Sequence, residues 1–311
     1  MTPLIPFFEV PVIHLGPLPV HGFGLLVALG FVFGERAAAK RAGQVGLDPT
    51  AINRVIMWLV IGTFVGGHVG YGLMYAPAEY FANPIKFLMF WEGLSSFGGF
   101  AVCVPLAFWF FRKNGLPMWH YMDSLAFGMA IGWFFGRMGC TVAHDHPGTP
   151  SNFILAKFCR PVEGHTLQLP GFLTDTHGDL RWGPCLKEGG PVMSITDQVP
   201  LDKFSTVAAH DMGFYEALWS IAVFGLFLLL GRRARKPGFY VTLLGVLYAP
   251  VRFGMDFLRP ETTDARYLSL TPAQWGSIAL LVFAAWGLWT VLRGKDPAYG
   301  PDAPYDKTVV A

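Results

Sequence analysis

Seven apolar runs, near residues 20–36, 51–75, 87–111, 118–139, 212–231, 238–258 and 273–292, dominate the 311-residue chain. A helix needs about 20 largely apolar residues to cross the hydrocarbon core of a bilayer. Lipid offers the backbone no hydrogen-bond partners, so spanning segments of this length satisfy their own amides as helices. The expected fold class is therefore an all-α membrane protein, a seven-transmembrane-helix bundle with a small extracytoplasmic loop region. Composition agrees, since 53% of the residues are hydrophobic and only 14% charged, against roughly 25% charged in a soluble domain. The net charge of +2 is small and its Lys and Arg are scattered, so no nucleic-acid partner is expected.

Basic residues collect on alternate connections: "ERAAAKRAGQ" follows the first run, "FRKNG" the third, "GRRARK" the fifth and "LRGKD" the seventh. By the positive-inside rule that side is cytoplasmic. The N-terminus, the connections near 76–86 and 259–272 and the loop 141–211 then face outward, and the C-terminus is cytoplasmic. The opening "MTPLIPFFEVPVIHLGPLPVHGFG" has no basic start and is interrupted by prolines, so it reads as an outer-face segment and not as a cleavable signal. Residues 1–295 are expected to form a single polytopic membrane domain capped by 141–211, with 296–311 a disordered cytoplasmic tail. Cys159 and Cys185 share the long loop, as a disulfide or as two thiols.

Orientation gives depth to the ionisable residues, because a helix rises about 1.5 Å per residue. Arg137, Tyr215, Glu216, Arg252, Asp256 and Arg259 all fall at the level of outer-leaflet headgroups. Arg252, Asp256 and Arg259 have i, i+4, i+7 spacing and share one helix face. Inserting Arg or Asp at mid-span costs on the order of 2.5–3.5 kcal/mol each, so such residues either snorkel to the interface or line a functional polar cavity. Guanidinium groups bind phosphate oxygens bidentately and stay charged, which favours an anionic phospholipid as ligand. The glycines of "VGGHVGYG" (65–72) and "SSFGGF" (95–100) suit close helix packing or a lipid tail.

After Arg137 comes "GCTVAHDHPG". His144 and His146, with Asp145 between them, are candidate bases, as a His beside a carboxylate works near neutral pH; a loop turn is the structural alternative. A metal site completed by His165 or His177 would match no zinc signature. Cys140 reads as a packed thiol in preference to a nucleophile, and neither GxSxG nor a P-loop is present.

Four segments resemble elements of the prolipoprotein diacylglyceryl transferase family: "WEGLSSFGG" (91–99), "GRMGC" (136–140), "HDMGFYEA" (210–217) and "RFGMDFLR" (252–259). The resemblance implies a seven-span fold in the bacterial inner membrane. It implies transfer of a diacylglyceryl group from phosphatidylglycerol, or a similar anionic phospholipid, to the lipobox cysteine of a preprolipoprotein. No metal or organic cofactor is implied. It makes Arg137 and Arg252 the phosphate ligands with Arg259 in support, and places His210, Tyr215 and Glu216 at the mouth of the site. Asp256, Gly98, Gly99 and Gly139 are supporting positions. Where the family has functional side chains, this chain carries Phe97 for a His, Cys140 for an Asn, Phe23 for a Tyr and His68 for an Arg. Phe97 cannot take a proton, so an enzyme would draw its base from His144, His146 or His210. A non-catalytic relative binding lipid or lipoprotein is the second reading. A transporter is third, because no paired broken helices recur in two halves.

Overall fold

The computed structural model describes residues 4–6, 8, 10–15, 18–74, 76–89, 93–144, 146–158, 167–168, 172–174, 180–182, 198–199, 208–259 and 266–306. Its helices are α1 (Gly22–Gln44), α2 (Pro49–Met74), α3 (Pro77–Ala82), α4 (Ser96–Lys113), α5 (Met118–Ala143), α6 (Met212–Leu230), α7 (Phe239–Met255) and α8 (Pro272–Arg293). Single 3₁₀ turns lie at Pro84–Leu88 and Asp256–Leu258. Among the described residues, six helices are long and apolar enough to cross a membrane: α1, α2, α5, α6, α7 extended through Leu258, and α8. The chain is an all-α, multi-pass membrane protein.

The expected count of seven spans needs correction at the third run. Residues 87–111 do not form one helix: a 3₁₀ turn ends at Leu88, and α4 begins only where the Ser95 hydroxyl caps the Gly98 amide at 3.3 Å. The remaining helix has 18 residues and ends on Arg112 and Lys113, which shortens its apolar stretch. Conversely, α1 continues to Gln44, past the expected end at 36. The sequence there, "ERAAAKRAGQ", is built of strong helix formers apart from Gly43 near its end, and these need no bilayer to stay helical.

The chain divides into two compact units, one of Met1–Gly34, Met129–Leu230 and Val241–Gly294, the other of Glu35–Gly128, Gly231–Tyr240 and Lys295–Ala311. In the second, α2 packs on α4 through glycines. A methyl group on Gly70 would sit 2.5 Å from the Gly98 Cα, and one on Gly66 would sit 2.6 Å from the Gly98 carbonyl oxygen. Helices this close admit no side chain at the crossing. Gly99 faces Thr63 at an ordinary 3.7 Å. Gly98→Ala is therefore expected to destabilise the protein by about 1–3 kcal/mol in detergent unfolding, with Gly99→Ala near wild type; equal effects would contradict the packing.

His68 is fully buried in the same unit. Its Nδ1 lies 3.1 Å from the Gly93 carbonyl and its Nε2 2.9 Å from the Lys86 carbonyl, so the ring fastens α2 to the segment that follows α3. The tail read as disordered is held over its described part. Tyr299 is buried, pairs antiparallel with Arg235 and donates to Asp123 Oδ2 at 3.0 Å. Asp123 also accepts from the amides of Gly238 and Tyr240, at 2.9 and 2.8 Å. The His120 ring packs tilted against Tyr299 and edge-on against Tyr305, with centroids 4.4 and 4.6 Å away. Two aromatic anchors thus override a polar, Gly- and Pro-rich composition.

In the first unit, α1 meets α5 where a methyl on Gly30 would come within 2.9 Å of the Gly132 oxygen, and Phe33 stacks on Phe135 with centroids 5.0 Å apart. A hairpin of β1 (Ile13–Leu15) and β2 (Leu18–Val20) precedes α1. In loop 141–211 the described residues include the last turn of α5, to Ala143, and a set of short strands. β3 (Pro147–Pro150) and β4 (Lys157–Phe158) flank β9 (Ala208–Asp211) in an antiparallel sheet. β5 (Leu167–Gln168) pairs with β8 (Gln198–Val199), and β6 (Phe172–Thr174) with β7 (Leu180–Trp182). Asp145, Cys159, His165, His177, Cys185 and the side chain of Phe97 lie outside the described residues.

Candidate active site

Asp211 closes β9 and caps α6, its Oδ1 accepting the Phe214 amide at 3.0 Å. This fixes where α6 starts, and Gly213 then lets it lie directly on α5: a methyl there would meet the Arg137 carbonyl oxygen at 3.0 Å. One turn along, Glu216 is buried with its side chain 3% exposed. Its Oε2 accepts from Arg137 Nε at 2.7 Å, Trp133 Nε1 at 3.2 Å and Tyr248 Oη at 3.3 Å. The Arg137 guanidinium carbon also lies 4.9 Å from the centre of the Trp133 ring, a cation–π contact. Three helices, α5, α6 and α7, therefore converge on one carboxylate oxygen. The ion pair runs through Nε, the inner nitrogen of Arg137, and the same guanidinium hydrogen-bonds the Tyr248 side chain.

One turn after Tyr248 on α7 stands Arg252, and it repeats the arrangement. Arg252 Nη1 donates to Asp256 Oδ1 at 2.9 Å, and Arg259 Nη1 lies 3.6 Å from the same oxygen. Asp256 has no exposed side-chain surface. Its other oxygen, Oδ2, accepts the Thr271 hydroxyl at the start of α8. The spacing of Arg252, Asp256 and Arg259 thus brings them together as expected, with two cations sharing one carboxylate.

His210 on β9 is half-buried, and its Nδ1 lies 2.9 Å from Tyr215 Oη. Burial holds the His210 imidazole below its ordinary value of 6.5. β3 threads between this residue and the end of α7: a methyl on Gly148 would lie 2.6 Å from the Leu258 oxygen and 2.8 Å from the His210 Cβ. The other two candidate histidines are placed differently. His144 follows α5 with a positive φ of 54° and its Nε2 lies 3.1 Å from the Phe8 carbonyl. A carbonyl only accepts, so that nitrogen carries hydrogen. His146 contributes its own carbonyl to the Met212 amide at 3.2 Å, holding β3 to the start of α6. Gly139 lets the Phe23 ring rest on α5 at 3.1 Å from its would-be methyl. Cys140 is not disulfide-bonded. Gly98 and Gly99 belong to the α2–α4 contact already described.

Several residues of this assembly escape a reading of the sequence. Trp133 precedes Arg137, and Tyr248 precedes Arg252, by one helical turn, but aromatic residues are too common in apolar spans to stand out. "TPAQ" at 271–274 does carry a signal, that of a capping box. Lys157 and Asp211, a buried pair 2.5 Å apart, are far separated in sequence and meet only through the β4–β9 register. Lys157 also donates to the Thr141 carbonyl at 2.9 Å, so the pair pins the β3–β9–β4 sheet to the end of α5.

The family model for prolipoprotein diacylglyceryl transferase matches residues 11–290. Similar proteins named phosphatidylglycerol-prolipoprotein diacylglyceryl transferase include one from Nitratidesulfovibrio vulgaris, 28% identical over 295 residues, covering 94% of this chain and 96% of the relative. Another, from Solidesulfovibrio magneticus, is 29% identical over 299 residues, covering 93% and 95%. A third, from Sinorhizobium medicae, is 26% identical over 310 residues, covering 95% and 96%. A match across nearly the whole chain, spanning all the helices that build the cluster, places this protein in the prolipoprotein diacylglyceryl transferase family.

Proposed function

We propose that this chain transfers the diacylglyceryl group of phosphatidylglycerol, taken from the outer leaflet of the bacterial inner membrane, to the cysteine thiol of an exported prolipoprotein. The observation that carries the proposal is the paired anchoring of Arg137 and Arg252, on different helices, by the buried carboxylates of Glu216 and Asp256. Guanidinium groups held in this way meet a phosphate without reorganising. The names of the relatives supply the substrates. The positive-inside pattern supplies the orientation, with the N-terminus outside and the C-terminus cytoplasmic.

In the proposed reaction the thiolate sulfur attacks the terminal glycerol carbon of the diacylglyceryl group. A carbon–sulfur bond forms, the bond from that carbon to the phosphate oxygen breaks, and glycerol phosphate departs with the electron pair. Arg137 and Arg252, supported by Arg259, neutralise the charge that gathers on the leaving phosphate. Glu216 has three donors on one oxygen and serves to orient Arg137, not to take a proton. His210 is the base of choice. With its Nδ1 hydrogen given to Tyr215, the Nε2 lone pair is left for the thiol proton, since the thiolate is the nucleophile.

The test is a lipobox peptide incubated with the purified protein in phosphatidylglycerol vesicles. The peptide cysteine should gain diacylglyceryl mass as an equal amount of glycerol phosphate is released; an unmodified peptide alongside intact lipid binding would sink the proposal. Within it, His210→Ala is expected to lower kcat/KM by about 10²–10⁴-fold, the span of general-base catalysis. His144→Ala and His146→Ala should stay close to wild type. Because burial lowers the His210 pKa, protonation of the imidazole is shifted to below its ordinary 6.5, and the acid limb of kcat/KM should lie below that value. A limb at or above pH 6.5, or full activity of His210→Ala, would assign the base elsewhere.

A further inference from the structure

The first turn of α8 enters the site through one hydroxyl. Thr271 is buried, and its oxygen accepts the Gln274 amide at 3.1 Å, the N-cap bond of the helix. The Gln274 side chain returns the bond, accepting the Thr271 amide at 3.0 Å, and its amide group reaches the Phe253 carbonyl of α7 at 3.5 Å. A hydroxyl has one hydrogen. With the cap bond occupying its oxygen as acceptor, that hydrogen is the one shared with Asp256 Oδ2. Asp256 Oδ1 is then left to the two guanidinium groups, at 2.9 Å for Arg252 and 3.6 Å for Arg259.

We propose that Thr271 is a positioning residue for lipid-phosphate recognition, its hydroxyl setting the Asp256 carboxylate so that Arg252 and Arg259 are aimed at the phosphate. The inference rests on the phosphate-binding reading of Arg252 and adds to it a residue that touches no substrate. The capping box does two jobs: it starts α8, and it converts the cap side chain into a donor for a carboxylate with no access to water. Without that donor, Asp256 Oδ2 is a buried acceptor with an unmet bond. Its carboxylate then rotates toward whichever guanidinium can supply one, and the paired alignment is lost.

The experiment separates alignment from mere helix stability by comparing three variants of the full-length protein in detergent. Thr271→Val removes the donor and the cap acceptor, Thr271→Ser keeps both, and Gln274→Ala weakens the capping box but leaves the hydroxyl on Asp256. The readouts are the Kd for a short-chain phosphatidylglycerol and, with vesicles, KM and kcat for transfer. Thr271→Val is expected to weaken lipid binding and raise KM for the lipid about tenfold, as loss of a partner for one buried polar group does. kcat should change less. Thr271→Ser should restore binding, and Gln274→Ala should lower the unfolding temperature with Kd unchanged. If Thr271→Val and Gln274→Ala lower stability alike and neither changes Kd, Thr271 is only a helix cap and the inference fails. Wild-type protein that binds the lipid but transfers nothing would defeat the transferase reading while leaving the binding comparison intact.

Discussion

Arg137→Ala should lower diacylglyceryl transfer by at least about 10²–10³-fold, the loss seen when one preorganised donor to a developing negative charge is removed. The effect is expected mainly in kcat, because charge on the phosphate grows as its bond to the diacylglyceryl carbon breaks. Arg137→Lys should recover only a small part of the rate. A lysine keeps the charge but has one point of contact where arginine has a planar fork, and it cannot reach Glu216 through an Nε while presenting further nitrogens to the lipid. Glu216, Trp133 and Tyr248 all meet at one oxygen, so the variant leaves a buried carboxylate with two neutral donors and without its cation. The check is initial-rate kinetics beside a folding control. Near wild-type kcat would remove Arg137 from the leaving-group role.

Asp256→Ala is expected to have the largest effect on stability, about 3–5 kcal/mol, the range for breaking a buried ion pair from one side. The reason is the number of groups it serves: Arg252, Arg259 and the Thr271 hydroxyl all terminate on this carboxylate. Its loss strands two largely buried cations and loosens α8 from the end of α7. Removing either arginine alone leaves Asp256 with another cation and should cost less. Unfolding in detergent, followed by intrinsic fluorescence or calorimetry, measures the difference. An Asp256→Ala protein as stable as Arg259→Ala would show that the carboxylate does not hold the cluster together.

Much of this arrangement is legible in the chain because membrane burial makes polarity informative. An arginine in a long apolar run is costly enough that Arg137 and Arg252 stand out, and helical spacing alone places Arg252, Asp256 and Arg259 on a common face. What the spacing does not show is which carboxylate each cation takes. Glu216 reads as a residue of the site mouth until the α5–α6 approach at Gly213 brings Arg137 onto it. The three candidate histidines are equivalent in sequence, and the fold separates them: His144 and His146 fasten backbone, whereas His210 faces Tyr215. The third apolar run misleads because apolarity reports solvent and not conformation, so residues on either side of the Ser95 cap read as one span. The tail misleads for the opposite reason, since Tyr299 and Tyr305 outweigh the glycines and prolines around them.

In the proposed mechanism, guanidinium groups anchored by buried carboxylates hold the phosphate of a lipid while its diacylglyceryl group passes to a thiol. The most direct measurement uses phosphatidylglycerol labelled in the diacylglyceryl group, a lipobox peptide, and purified wild-type and Arg137→Ala proteins at matched lipid occupancy. Label should move to the cysteine of the peptide, and to no peptide in which that cysteine is serine, with wild-type protein only. Equal transfer by the two proteins, or none by wild-type protein with lipid bound, would overturn this mechanism.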